Sequence, residues 1–216
     1  MIDVTRKGFI AGAAAGAAAV VATGAVEDKI FDGGMADVTK PGIDGRNAPL
    51  KPAGSLSIVD FAKRCVGCQL CVKACPNHVL RPAGRLRDFM QPEMAFDLGW
   101  CTVDCSRCAE VCPAGAIRPL SGIRKEEVRI GHAVWHADRC VAASEGVNCT
   151  ACERHCAVKA IKRKKSEGGA MTPVVDEEKC IGCGACEHVC PARPMPAMVV
   201  MSHERHKLVR RPPPKA

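Results

Sequence analysis

The 216-residue chain contains no Tyr, two Trp and five Phe, so aromatics make up only 3% of it. A core built on stacked aromatic rings is excluded. Large aliphatic side chains are also scarce, because Ala and Cys supply nearly half of the 47% apolar fraction. Burial energy scales with apolar area, so the core is thin for this length, and something other than Leu and Phe must hold the fold. The length is short of the ~250 residues of a typical enzyme barrel and admits one or two small domains. No C-x-x-C-H occurs, which removes covalent c-type haem. No general-base or nucleophile constellation stands out among the seven His. His132 and His136, four apart beside Trp135, read as surface markers on a strand-like segment.

What is abundant is cysteine. The 16 Cys form four groups of four with none left over. The first is Cys65-x2-Cys68-x2-Cys71-x3-Cys75-Pro76, and the second Cys101-x3-Cys105-x2-Cys108-x3-Cys112-Pro113. The third is Cys140-x8-Cys149-x2-Cys152-x3-Cys156-Ala157, and the fourth Cys180-x2-Cys183-x2-Cys186-x3-Cys190-Pro191. Groups one and four match the bacterial ferredoxin run letter for letter. Three thiolates two residues apart on one loop can take three irons of a cubane, with the intervening N–H groups turned toward sulfur. The fourth Cys of such a run ligates the other cluster of a pair. Gly67, Gly182 and Gly184 stand where the backbone must come close. Pro after the fourth Cys suits a chain changing direction. These sixteen Cys are the expected iron ligands of four 4Fe-4S clusters, and no catalytic residue is expected.

Other uses of cysteine fit less well. A disulfide framework has no reason to repeat C-x2-C-x3-C four times. Structural zinc prefers C-x2-C knuckles a dozen or more residues apart, whereas Cys65 to Cys75 crowd one loop. Cys101-x3-Cys105-x2-Cys108 matches the radical S-adenosylmethionine triad in letters. That triad leaves one iron open, and here Cys112-Pro113 supplies a fourth ligand.

The groups recur every 36 to 40 residues, with the related phrases Cys75-Pro-Asn-His-Val-Leu80, Cys112-Pro-Ala-Gly-Ala-Ile117 and Cys156-Ala-Val-Lys-Ala-Ile161. Val128 to Trp135 and Thr172 to Asp176 are strand-like, and Pro173 suits an edge. Ser166 to Gly169 supplies a turn. Ser57 is a candidate N-cap for a short helix through Arg64. The predicted class is α+β: tandem bacterial-ferredoxin-like modules, two pseudo-twofold dicluster units with little regular secondary structure. The gaps of 25, 27 and 23 residues between groups leave open which groups pair.

Residues 1–26 read as an export signal. Arg6-Lys7 precedes an uncharged Ala/Gly/Val run from Gly8 to Val26. Thr5-Arg6-Lys7-Gly8-Phe9-Ile10 resembles the twin-arginine motif, with Lys7 at the second arginine. That route exports proteins already folded around a cofactor. The run is also just long enough for a membrane anchor. Residues 27–54, rich in Gly and Pro, read as an extended tether packed on or trailing from the domain. Residues 55–201 form the polyferredoxin region, and 202–216 a basic, Pro-rich tail.

From Pro49-Leu-Lys-Pro-Ala-Gly54 through Phe61-Ala-Lys-Arg-Cys65 to Pro76, and in the Cys140-x8-Cys149 spacing, the chain resembles the exported ferredoxin-type proteins of NapG/MauM type. The resemblance covers roughly residues 49–201, plus the leader. It implies four 4Fe-4S clusters and an electron carrier without its own substrate site, located in the periplasm or at the outer face of the cytoplasmic membrane. The implied partners are a membrane ferredoxin-type quinol oxidase subunit and a periplasmic reductase or other redox enzyme. The alternative is an iron–sulfur subunit of a larger membrane-associated or molybdenum oxidoreductase complex. Analogy with related four-cluster subunits implies nested pairing in preference to sequential pairing, Cys190 joining Cys65, Cys68 and Cys71, and Cys75 joining Cys180, Cys183 and Cys186.

The formal charge is +8. Lys162-Arg163-Lys164-Lys165 and the tail are basic but lack interleaved aromatics, so nucleic acid is not expected. These runs suit a solvated turn and a tail, or a docking patch for a redox partner or an anionic membrane surface. Sixteen thiolates and four cubane cores would bring about eight negative charges. The basic composition then balances the clusters, and without iron the chain is expected not to fold.

Overall fold

The computed structural model describes residues 46, 48–166 and 168–209. The leader, most of the tether and the last seven residues lie outside this range. The described part belongs to one compact unit, and none of its helices is long and apolar enough to cross a membrane.

The elements are short. Helices α1 (Ile58–Arg64) and α2 (Leu70–Ala74) are followed by strands β1 (Leu80–Pro82) and β2 (Pro92–Met94) and helix α3 (Arg107–Glu110). Then come β3 (Val128–Trp135), α4 (Val141–Ser144), α5 (Ala151–Arg154), β4 (Ile161–Lys165), β5 (Met171–Val175), α6 (Ala185–His188) and β6 (Met198–Leu208). Helices of four to seven residues are far below the ~12 needed for stability in isolation, so packing and the thiol loops must hold them. Helix α1 carries its own start signal: Ser57 accepts a hydrogen bond from the Asp60 N–H at 3.0 Å. Asp60 in its first turn and Lys63 and Arg64 in its last complement the helix dipole. The sequence reading of this helix and its cap agrees with the structure.

Three two-stranded antiparallel sheets organise the chain: β1–β2, β4–β5 and β3–β6. The first two are hairpins, each lying between consecutive cysteine groups. Pro173 is tolerated in β5 because a strand of a two-stranded sheet always has a free edge. Strand β3 has the bounds expected from sequence, and β5 begins and ends one residue earlier than expected. Strand β6, the partner of β3, departs from expectation. It continues to Leu208, seven residues into the segment read as tail. Charged residues such as Glu204 and Arg205 hide this strand in the sequence, yet Lys207 and Leu208 pair with Arg129 and Val128.

The core is as thin as composition implies. Leu50, Phe61, Val79, Met94, Phe96, Ile117 and Val200 form its main cluster. Leu50 and Lys51 are fully buried, so the last residues of the expected tether are part of the domain. Met94 N–H donates to the Leu50 carbonyl at 2.9 Å and Arg118 N–H to that of Gly54 at 3.0 Å. The Lys51 ammonium lies 4.9 Å from the Phe61 ring centre and donates to the Pro92 carbonyl at 3.1 Å. Asp88 approaches it at 3.9 Å.

Between the Arg129–Lys207 and Gly131–Ser202 pairs, residues 203–206 bulge from the ladder. His203 stacks on His132 with ring centroids 5.1 Å apart. The His206 N–H donates to the Leu56 carbonyl at 2.7 Å, and its ring is mostly withdrawn from water. Burial, with the His203 charge as a lesser cause, pushes His206 down to about 4. The unfolded chain takes up this proton near pH 6.5, the folded chain only near 4. Stability is therefore complete above pH 6.5 and falls toward pH 4, by up to about 2 kcal/mol at pH 5. Denaturant melts at pH 7 and pH 5 should show this loss, and His206→Leu should remove it.

Candidate iron–sulfur sites

The sixteen thiols converge into four quartets. Cys71 interacts with Cys65, Cys68 and Cys112, and all four line one cavity with Phe61, Leu70 and Ile117 (quartet A). Cys101, Cys105 and Cys108 gather with Cys75 (quartet B). Cys180, Cys183 and Cys186 gather with Cys156 (quartet C). Cys140, Cys149 and Cys152 gather with Cys190 (quartet D).

This corrects the nested pairing. The first group exchanges its fourth cysteine with the second, and the third with the fourth. Cys190 does not join Cys65, nor does Cys75 join Cys180. The hairpins are the reason. Between groups one and two, β1–β2 turns the chain straight back, and β4–β5 does the same between groups three and four. Between groups two and three there is no such return, because β3 pairs with the distant β6.

Backbone N–H groups point at cysteine sulfurs. Ile117 donates to Cys112 Sγ at 3.5 Å, Ala160 to Cys156 Sγ at 3.1 Å, Ala197 to Cys190 Sγ at 3.2 Å and Ala133 to Cys180 Sγ at 3.4 Å. Two of these donors sit in the repeated phrases seen in the sequence. In these two phrases the Ala-Ile pair is buried in the core while one of its N–H groups turns toward sulfur.

Burial and neighbouring thiols push the protonated state up: Cys71 and Cys152 to about 11, Cys108 and Cys183 to about 12, and Cys186 well above its usual value. Without metal these thiols stay neutral, so a bound cation must displace their protons. Among the described residues, no three Cys, His, Asp or Glu side chains close around a single metal ion. A cubane needs its ligands further apart, since each thiolate takes a different iron. Apolar walls, four soft sulfurs and N–H donors aimed at sulfur fit such a cluster.

The two halves meet at residues 96–101. Cys101 N–H donates to the Cys183 carbonyl at 2.9 Å, joining quartet B to quartet C. Trp100 lies 5.3 Å from His188 and 6.3 Å from His155, centroid to centroid. Its carbonyl accepts from Asn77 at 2.9 Å, and Phe96's carbonyl lies 2.7 Å from His188 Nδ1. Gly184, with φ of +82°, lets Phe96 pack directly on the loop: a Cβ there would lie 2.1 Å from the ring. Gly182 likewise sits against the Gly131 backbone. Glu187 is buried beside Cys186. Arg46 meets its carboxylate at 2.6 Å and Val200 N–H donates to it at 2.7 Å. Burial nevertheless holds its carboxyl above the usual range.

Sequence reasoning missed several of these residues. Lys125, inside Arg124-Lys-Glu-Glu127, belongs to no motif of the sequence. Its ammonium donates to the Thr102 and Cys105 carbonyls at 2.8 and 2.6 Å and bears on the Cys101 sulfur. Lys51 and Glu187 carried no sequence signal either. In the basic run, Arg163 is held by Glu153 at 2.9 Å and Asn148 at 2.6 Å, while Lys162, Lys164 and Lys165 face solvent.

Paired thiol quartets on two hairpin-closed modules define a ferredoxin-type iron–sulfur protein. The 4Fe-4S dicluster domain family matches residues 64–116 and again 147–193, one match on each module. The methylamine utilization ferredoxin-type protein MauM of Methylobacillus flagellatus is 34% identical over 151 residues, which is 65% of this chain and 63% of that protein. MauM of Methylorubrum extorquens is 34% identical over 153 residues, 65% of this chain and 67% of its own. The ferredoxin-type protein NapF of Haemophilus influenzae is 30% identical over 142 residues, 66% of this chain and 74% of its own. The chain belongs to the ferredoxin-type 4Fe-4S proteins of NapG/MauM type. It spans slightly under two thirds of the length of the first of these relatives.

Proposed function

We propose that the chain carries four 4Fe-4S clusters, one per quartet with the sixteen Cys as ligands, and relays single electrons without a substrate site of its own. Such a cluster, when bound, takes up and releases one electron without breaking a bond to the protein. The protein's contribution is to exclude water with Phe61, Ile117 and the buried alanines, to donate N–H groups to sulfur, and to hold the sites in series. The Cys101–Cys183 hydrogen bond carries the reading. It brings the two modules into contact at inner quartets, giving a series A, B, C, D with A and D at the ends. Within each module the two halves are read as pseudo-twofold copies, α2 facing α3 and α5 facing α6.

The ferredoxin-type names of the relatives, methylamine utilization proteins among them, support a place in an electron-transfer pathway. We read the donor as a membrane quinol-oxidising ferredoxin-type partner and the acceptor as a periplasmic reductase or other redox enzyme. Residues 1–26 are read as the export signal, which places the relay in the periplasm or on the outer membrane face. The alternative, a fixed subunit of a larger oxidoreductase complex, gains support from one observation. Val66, Leu86 and Phe89, exposed by 71, 84 and 63%, lie on the two loops beside exposed Cys68. These loops touch, since Gln69 hydrogen-bonds Met90. Exposed apolar surface of this kind marks contact sites.

Anaerobic iron and acid-labile sulfide should each come to about sixteen per chain, with EPR signals of interacting cubanes after reduction. Zinc in place of iron, or eight disulfides, would end the reading. Stripping iron with a chelator should abolish the cooperative unfolding transition, because the clusters replace much of the missing core.

A further inference from the structure

Lys125 is placed unlike the other interior charges. Lys51 beside quartet A is paired with Asp88 at 3.9 Å and Arg46 beside quartet C with Glu187 at 2.6 Å. Arg129, which bears on Cys180 of quartet C with no carboxylate in ion-pair range among the described residues, donates to the single carbonyl of Glu177. Beside quartet B the two neighbouring carboxylates are engaged by Arg124, which meets Glu126 at 2.7 Å and Glu127 at 2.8 Å. Among the described residues, Lys125 has no carboxylate within ion-pair range. Its ammonium is instead anchored on two carbonyls of the ligand loop, Thr102 at 2.8 Å and Cys105 at 2.6 Å. That anchorage aims the charge at the Cys101 sulfur, the ligand whose backbone N–H bridges to Cys183.

We propose that Lys125 sets the reduction potential of the centre held by quartet B, raising it so that this centre takes the first electron delivered to the protein. This rests on the four-cluster reading above. The physics is charge balance. Reduction by a low-potential one-electron donor adds one negative charge to the centre, while the donor is oxidised by one electron; no bond breaks and no proton need move. A fixed positive charge a few ångströms away, partly shielded from water, stabilises the reduced state more than the oxidised one. Lys125 is thus a positioning residue for charge. It would hold the first electron at the module boundary, one step from quartet A and one step from quartet C.

The test is an EPR-monitored redox titration of the iron-loaded protein beside Lys125→Met, Lys125→Gln and Lys125→Arg. In Lys125→Met and Lys125→Gln, one midpoint should move to more negative potential, and it should be the most positive of the unaltered protein. Lys125→Arg, which keeps the charge, should leave it near its original value. Gln retains a donor for the Thr102 and Cys105 carbonyls, so it remains informative if the Met variant folds poorly. The proposal is overturned if no midpoint moves in the neutral variants, if the one that moves is not the highest, or if Arg shifts it as far as Met does. Iron and sulfide counted on the same samples separate the two readings. Sixteen irons with unmoved midpoints defeat the role of Lys125 alone, whereas a low count in the unaltered protein defeats the four-cluster reading itself.

Discussion

Cys112→Ala combined with Cys71→Ala is expected to cost one cluster, about four irons per chain, because both thiols belong to quartet A. Cys112→Ala combined with Cys75→Ala is expected to cost two, about eight irons, although both residues are the fourth ligand of their group. Under nested exchange, Cys112 and Cys71 would serve different clusters, and the first pair of substitutions would cost two. Iron and sulfide per chain, with the number of EPR signals remaining, distinguish these cases. Three signals in the Cys71/Cys112 variant agree with the structure, and two overturn it. The single substitutions matter as controls, since each should remove no more than one cluster.

The second large effect is expected at Gly184. Its φ of +82° is a conformation that disfavours any side chain, at about 1 kcal/mol or more. The Cβ of Ala would also press to 2.1 Å from the Phe96 ring, which is itself buried. Overpacking of this kind costs about 1–3 kcal/mol. Gly184→Ala should therefore destabilise the loaded protein by roughly 3 kcal/mol, a large share of the ~5–15 kcal/mol of an ordinary domain. Loss of cluster absorbance during denaturant unfolding would report it. The Phe96 clash is separable from the backbone strain. Phe96→Ala in the Gly184→Ala background should restore part of the loss, so the double variant is less damaged than the two single effects added. Strict additivity would mean that the ring is not what Gly184 accommodates. The same ring sits where the modules join, so the variant should also weaken magnetic interaction between the centres of quartets B and C.

Much is legible in the sequence. The four groups of thiols, the Ser57 cap and the bounds of β3 all follow from local rules, because ligand spacing, capping and alternation act over a few residues. The glycines of the fourth group announced a close approach without saying to what. Gly182 meets Gly131, and Gly184 meets Phe96, both across long sequence separations. The three-residue strands β1 and β2 were not legible: Pro82 ends the one and Pro92 begins the other, and their pairing is their only signature. Strand β6 was misread beyond residue 201 for a related reason. Its charged end is held by partners on β3, nearly eighty residues away.

Composition and spacing already carry the chemistry proposed: sixteen thiols in ferredoxin-type runs, too little apolar surface for an ordinary core, and a positive formal charge. Tertiary structure alone decided which groups share sites, because hairpins β1–β2 and β4–β5 return the chain on itself while similar gap lengths say nothing. It alone decided that the modules meet through Cys101 and Cys183, and that Lys125 is turned to the Cys101 sulfur. Ligand identity is a property of residues and short spacings. Exchange of ligands, contact between modules and the placing of one charge are properties of where distant segments come to rest.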